Sequence, residues 1–84
     1  TPQNELILAL DGVQDPGNLG TIIRIADWFG IKNIMCSEDT VDVYNPKVIQ
    51  ASMGSVAQVS VNYCNLKSFI ENISPEVPLY GKYL

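Results

Sequence analysis

Residues 6–29 read LILALDGVQDPGNLGTIIRIADWF, and this stretch decides the fold. Residues 6–10 form an apolar run of strand length. A turn rich in Gly, Pro and Asn ends the run, and an apolar stripe follows at once in Leu19, Ile22, Ile23, Ile25, Ala26, Trp28 and Phe29. A stripe this wide suits a helix packed on a sheet. Gly30 then stands where a left-handed residue ends a helix. Strand, tight turn and helix make the first half of a βαβ unit. The mouth between strand end and helix start is where α/β proteins gather ligands.

The rest of the chain keeps the alternation. Residues 32–36 (KNIMC) predict a second strand, and residues 37–43 an acidic loop. Asn45-Pro46 starts a helix, with Asn as cap and Pro in the first turn, that runs to about Ser52 and is ended by Gly54. Residues 56–61 alternate Val56, Val59 and Val61 with small or polar residues and predict a third strand. Asn65 caps a third helix over residues 66–73, with Leu66, Phe69, Ile70 and Ile73 on one face. Pro75 and Pro78 close that helix, and residues 79–84 predict a fourth strand. The expected fold is α/β, with right-handed βαβ units on a parallel sheet of about four strands and three helices.

Composition narrows the function. The chain has 84 residues, enough for one small domain that buries about 60–65% of its unfolded surface. It is 46% hydrophobic and 17% charged, an ordinary globular balance. No apolar run spans a bilayer and no basic-then-apolar leader is visible, so the chain reads as soluble and cytoplasmic, with no membrane partner. Cys36 and Cys64 lie in or beside apolar segments and read as free buried thiols. There is no His and no zinc-site pattern, so no metal is expected.

The net charge is −4, and the basic residues Arg24, Lys32, Lys47, Lys67 and Lys82 are scattered. Modules that hold nucleic acid by its phosphates carry a clustered basic stripe. If RNA or DNA is the substrate, most of the grip comes from another segment, domain or subunit. The chain stops on Leu84 inside an apolar, strand-like run with no helix to cover it. That ending reads as the N-terminal piece of a larger domain, the alternative being a small domain completed by dimerisation.

Within the first turn, each polar residue has two readings. Asn18 is placed to cap a helix beginning at Leu19, or to face a ligand. Arg24 shares a helix face with Gly20, Thr21 and Asp27, and is either a solvated partner of Asp27 or a functional cation. Gly20 in the first helical turn costs up to about 1 kcal/mol against Ala, so something approaches its backbone closely. A nucleotide-binding turn is the rival. However, Gly12, Gly17 and Gly20 are spaced G-x4-G-x2-G rather than G-x-G-x-x-G, although the acidic pair Glu38-Asp39 follows the second strand.

The segment LDGVQDPGNLGTIIRIADWFGI closely resembles the first motif of the SpoU (TrmH-like) RNA 2′-O-methyltransferases of the knotted SPOUT superfamily. The matching positions are Asp15, Pro16, Asn18, Gly20, Arg24, Ala26, Asp27 and Gly30. A second family feature, S-x-G-[SA], appears as Ser52-Met53-Gly54-Ser55, and the resemblance covers nearly the whole chain. It implies methyl transfer from S-adenosylmethionine to a ribose 2′-hydroxyl of tRNA or rRNA by a homodimer. It also implies that residues 1–84 are the N-terminal portion of the catalytic domain. Arg24 and Asn18 would be catalytic, and Asn18, Gly20 and Arg24 would touch substrate. Arg24 would act on the hydroxyl together with an RNA phosphate, held by the Asn18 amide. The family's cofactor motifs, an N-E-x-x-G loop and a Ser-Leu-Asn segment, do not occur here, since Asn4-Glu5 runs into Leu6. This chain is therefore expected to lack a cofactor site, the knot and activity by itself. A non-catalytic α/β module for dimerisation or nucleotide binding is the alternative.

Overall fold

The computed structural model describes residues 6–72 and 79–83. Strand Ile7–Asp11 (β1) leads into helix Pro16–Trp28 (α1), and strand Asn33–Ser37 (β2) into helix Pro46–Ser52 (α2). Strand Ser60–Cys64 (β3), helix Leu66–Asn72 (α3) and strand Leu79–Tyr83 (β4) complete the order. The four strands form one sheet in the order β3-β2-β1-β4, and every pairing is parallel. This is the expected α/β architecture. Ile73, Pro75, Pro78 and Leu84, on which part of the expected third helix and fourth strand rested, lie outside the described residues.

The topology follows from chain direction. The sheet grows from β1 through β2 to β3, so the right-handed rule sends α1 and α2 to the same face. The chain then returns past β2 and β1 to reach β4, which sends α3 to the opposite face. Leu10, Ile34 and Cys36 pack beneath α1 and α2 in one cluster with Val13, Leu19, Ile23, Ala26, Val43, Val48 and Val59. Leu10, Leu19, Ile23 and Ile34 are completely buried, each stabilising the fold by about 1.5–3 kcal/mol. The other face carries Ala9, Met35 and Asn62 in register, because successive side chains alternate across a strand.

Three expectations are corrected. The first helix begins at Pro16, not Leu19, and its cap is Asp15 rather than Asn18: the Asp15 carboxylate accepts from the Asn18 main-chain N–H at 3.0 Å. Pro16 explains the shift, because its fixed φ and missing N–H suit the first helical position. The third strand is Ser60–Cys64, not residues 56–61, since Ser55–Ala57 winds into a 3₁₀ turn. Val56 and Val59, three apart, turn toward the core from that coil instead of alternating across a sheet. Met53 rather than Gly54 closes α2, in a left-handed conformation at φ 53°, with Gly54 at φ 91° after it.

Other local signals hold. Gly30 adopts φ 78°, and its N–H reaches the Asp27 carbonyl while the Ile31 N–H reaches Ala26, the double bond that closes helices on a left-handed glycine. Asn45 accepts from the Lys47 N–H at 2.9 Å, and Asn65 from the Ser68 N–H at 3.0 Å. Cys36 is buried and Cys64 half-buried, and both are free. They sit one register step apart on neighbouring strands, so their side chains leave opposite faces of the sheet.

Candidate functional site

Residues of α1 and the end of α2 build the site. The two helices touch where Gly20 faces Ala51: a Cβ on Gly20 would lie 2.5 Å from the Ala51 Cβ and 2.7 Å from the Val48 carbonyl oxygen. The close approach anticipated at Gly20 is therefore made by the chain's own second helix. Gly20 is buried, so its place in the site is to set how near α2 comes rather than to meet a ligand.

One turn further along α1, Arg24 is exposed and its Nη1 donates to the Met53 thioether at 2.9 Å. Its hydrogen-bond partner is Met53, twenty-nine positions away, and not Asp27 on its own helix. Arg24, Asp27, Trp28, Met53 and Ser55 line an open hollow of about 430 Å³. The hollow brings a guanidinium, a carboxylate, a hydroxyl and a flat aromatic side chain together. Within such a set the planar guanidinium fork can match phosphate oxygens, and an exposed indole offers a face for stacking. Trp28 is 86% exposed, which leaves that face open to solvent.

Asn18 sits near the other end of this surface. It is exposed, six positions before Arg24 on α1, which separates the two by roughly 9 Å along the axis. No hydrogen bond joins their side chains among the described residues. The structure thus brings Arg24 to the second motif and leaves Asn18 beside the Asp15 turn. Trp28, Met53 and Ser55 are site residues that sequence reasoning did not assign. Met53 and Ser55 lay inside the Ser52-Met53-Gly54-Ser55 segment, which was the available signal.

A larger hollow of about 700 Å³ opens at the C-terminal ends of β1, β2 and β3, with Asp11, Glu38, Asp39 and Glu71 on its rim together with Lys67. Behind it the Ser37 hydroxyl accepts from the Gly12 N–H at 2.8 Å and donates to the Asp39 carboxylate, beside Thr40. This network fastens the strand ends to each other. Among the described residues no group of three or more His, Cys, Asp or Glu is arranged to hold a metal ion. Among the described residues, Cys36 and Tyr63 have shifted titration, and both lie away from Arg24. Burial, and then the neighbouring Cys64, push the Cys36 thiol up to about 12. Burial, with the Cys36 charge next, pushes the Tyr63 phenol up to about 12. Tyr63 donates to the Val41 carbonyl and ties β3 to the loop before α2.

The sequence and fold match known proteins consistently. The model of the SpoU rRNA methylase family matches residues 5–82. The 23S rRNA (guanosine(2553)-2′-O)-methyltransferase of Bacillus subtilis is 39% identical over 79 residues, covering 93% of this chain and 32% of that protein. The mitochondrial rRNA methyltransferase 3 of Mus musculus is 37% identical over 76 residues, covering 89% of this chain and 18% of that protein. The AdoMet-bound rRNA methyltransferase of Sinorhizobium meliloti superposes with a TM-score of 0.75 at 43% identity, covering 81% of this chain and 26% of that one. The chain thus spans a third or less of each of these relatives. With 78 of its 84 residues inside the family pattern, this chain belongs to the SpoU rRNA methylase family.

Proposed function

We propose that this chain carries the RNA side of a methyltransferase site that moves a methyl group from S-adenosylmethionine to a ribose 2′-hydroxyl of rRNA or tRNA. The observation that carries the reading is the Arg24 guanidinium, held by Met53 at an open hollow on the second family motif. A ribose hydroxyl is a poor nucleophile at neutral pH, so positioning and proton handling govern its reaction. Arg24 stays protonated, which suits it to fix an RNA phosphate and orient the adjacent hydroxyl oxygen rather than to remove its proton. Asn18, at the head of the same helix, would contact the RNA on the 5′ or 3′ side of that nucleotide.

The N-E-x-x-G and Ser-Leu-Asn motifs that the family resemblance ties to the methyl donor do not occur in this chain, and among the described residues the larger hollow offers a methionyl carboxylate Lys67 alone, beside Asp11, Glu38, Asp39 and Glu71. The proposed share of this chain in the reaction is therefore the RNA.

The rival reading as a nucleotide-binding turn is disfavoured by Asp15. Its carboxylate already occupies the N-terminus of α1 and accepts from the Asn18 N–H, where a bound phosphate would have to sit. The same proposal includes a homodimer, for which exposed Ile25 and Phe29 supply apolar surface, and a cytoplasmic location. Among the described residues no helix is long and apolar enough to cross a membrane. Light scattering of the full-length protein tests the dimer.

The decisive experiment is Arg24→Ala in the full-length protein, assayed with S-adenosylmethionine and transcribed rRNA and tRNA. Methylation should fall by about a hundredfold or more, at the scale expected when a group engaged in the transition state is removed. Methylation at the wild-type rate would overturn the assignment.

A further inference from the structure

We infer that Met53 is a positioning residue for Arg24, holding the guanidinium in its working orientation through the thioether; the inference rests on the role proposed for Arg24. Three observations converge on this side chain. Its Sδ accepts from Arg24 Nη1 at 2.9 Å across twenty-nine residues of sequence. It is the one non-glycine at positive φ among the described residues, at 53°. It is also 72% exposed, although it is apolar. A left-handed backbone and an exposed thioether are both unfavourable for Met, and glycine would meet the backbone demand without strain. Conformations of this kind persist where the surroundings determine them, and they concentrate at working sites.

The scaffold makes the contact reproducible. Gly20 lets α1 and α2 approach until backbone and Cβ atoms touch, which fixes the end of α2 over the middle of α1. The Ser52 hydroxyl donates to the Ile49 carbonyl at 2.9 Å, and the Met53 N–H reaches the Gln50 carbonyl at 3.2 Å, so the cap cannot swing freely. From there the side chain projects onto Arg24. A thioether is a weak, uncharged acceptor. It can steer one N–H of the fork without neutralising the cation, where a carboxylate in the same place would compete with an incoming RNA phosphate. The remaining N–H groups of the planar fork then face the hollow in a set direction. This gives Met53, the x of the S-x-G-[SA] pattern, a chemical task.

The test uses the full-length protein and four variants, Arg24→Ala, Met53→Gly, Met53→Leu and Met53→Gln, measured for methylation kinetics and thermal unfolding. Met53→Gly removes the thioether while relieving the left-handed backbone. Its kcat should fall about tenfold with KM for RNA within about twofold, while Tm stays level or rises. Met53→Leu keeps the bulk without the acceptor and should lose kcat to a similar extent. Met53→Gln restores an acceptor and should recover much of the loss. Activity and Tm falling together in Met53→Gly, or Gln performing no better than Leu, would overturn the inference. If Arg24→Ala is inactive while the Gly and Leu variants match wild type, the inference fails and the proposed function stands. If Arg24→Ala keeps full activity, the functional reading fails with it.

Discussion

The two faces of the sheet are built differently. Under α1 and α2, ten buried apolar residues from every element between β1 and the start of β3 form one cluster, and the helices touch through Gly20. On the opposite face α3 has no buried residue, and its Ile70 is 44% exposed. Beneath α3, small and polar side chains such as Ala9 and Asn62 take positions that Leu10 and Ile34 hold on the other side. The difference places the precision of the molecule on one face, and that face carries Arg24. A guanidinium can be aimed only from a helix that does not shift, and close packing supplies that rigidity.

Gly20→Ala attacks the comparison where it is strongest. The new methyl has no room against Ala51, Val48 and Ser52, so the variant should lose about 1–3 kcal/mol in denaturant or thermal unfolding of the full-length protein. A neutral result would mean that the two helices are not locked. The second probe is alkaline pH. The Cys36 thiol titrates near 9.0 in an unfolded chain and near 12 in the fold, so its neutral burial favours folding fully below pH 9. Above pH 9 the unfolded chain loses its proton first, and stability declines as pH climbs toward 12. Cys36→Ala should flatten the first part of that decline, leaving the part that Tyr63 adds above pH 10. An unchanged slope would place Cys36 outside the tight face. The smallest effect is expected on the other side, where Ile70→Ser should stay within about 0.5 kcal/mol of wild type. A loss equal to that of Gly20→Ala would erase the asymmetry.

Much of the architecture was legible because the signals are local. An apolar run, a Pro-Gly turn, Asn45-Pro46 and Gly30 each act within a few residues, and each forms the element it announces. The misreadings were local competitions with two candidates. Asp15 and Asn18 can both cap a helix, and Pro16 at the first helical position decided for Asp15. Val56 and Val59 suit a strand or a turn, and packing of half-buried Val56 and buried Val59 against the core from one coil settled it. The site was harder. Arg24 was recognisable by its motif, but its partner Met53 lies on another helix, and no spacing rule reaches across twenty-nine residues. Gly20 announced a close neighbour without naming it, because a missing side chain looks the same whether a ligand or a helix fills the space.

The order of the strands also bears on how the molecule comes into being. β1, α1, β2, α2 and β3 pack on one another in the order in which they are synthesised, all within residues 7–64. Neighbours in sequence close short loops, and short loops close fast. Among the described strands, β4 alone must travel back across the sheet to reach the far side of β1. A chain leaving the ribosome can therefore assemble the support beneath Arg24 while its later residues are still being made. The half of the fold that must be accurate is the half that need not wait.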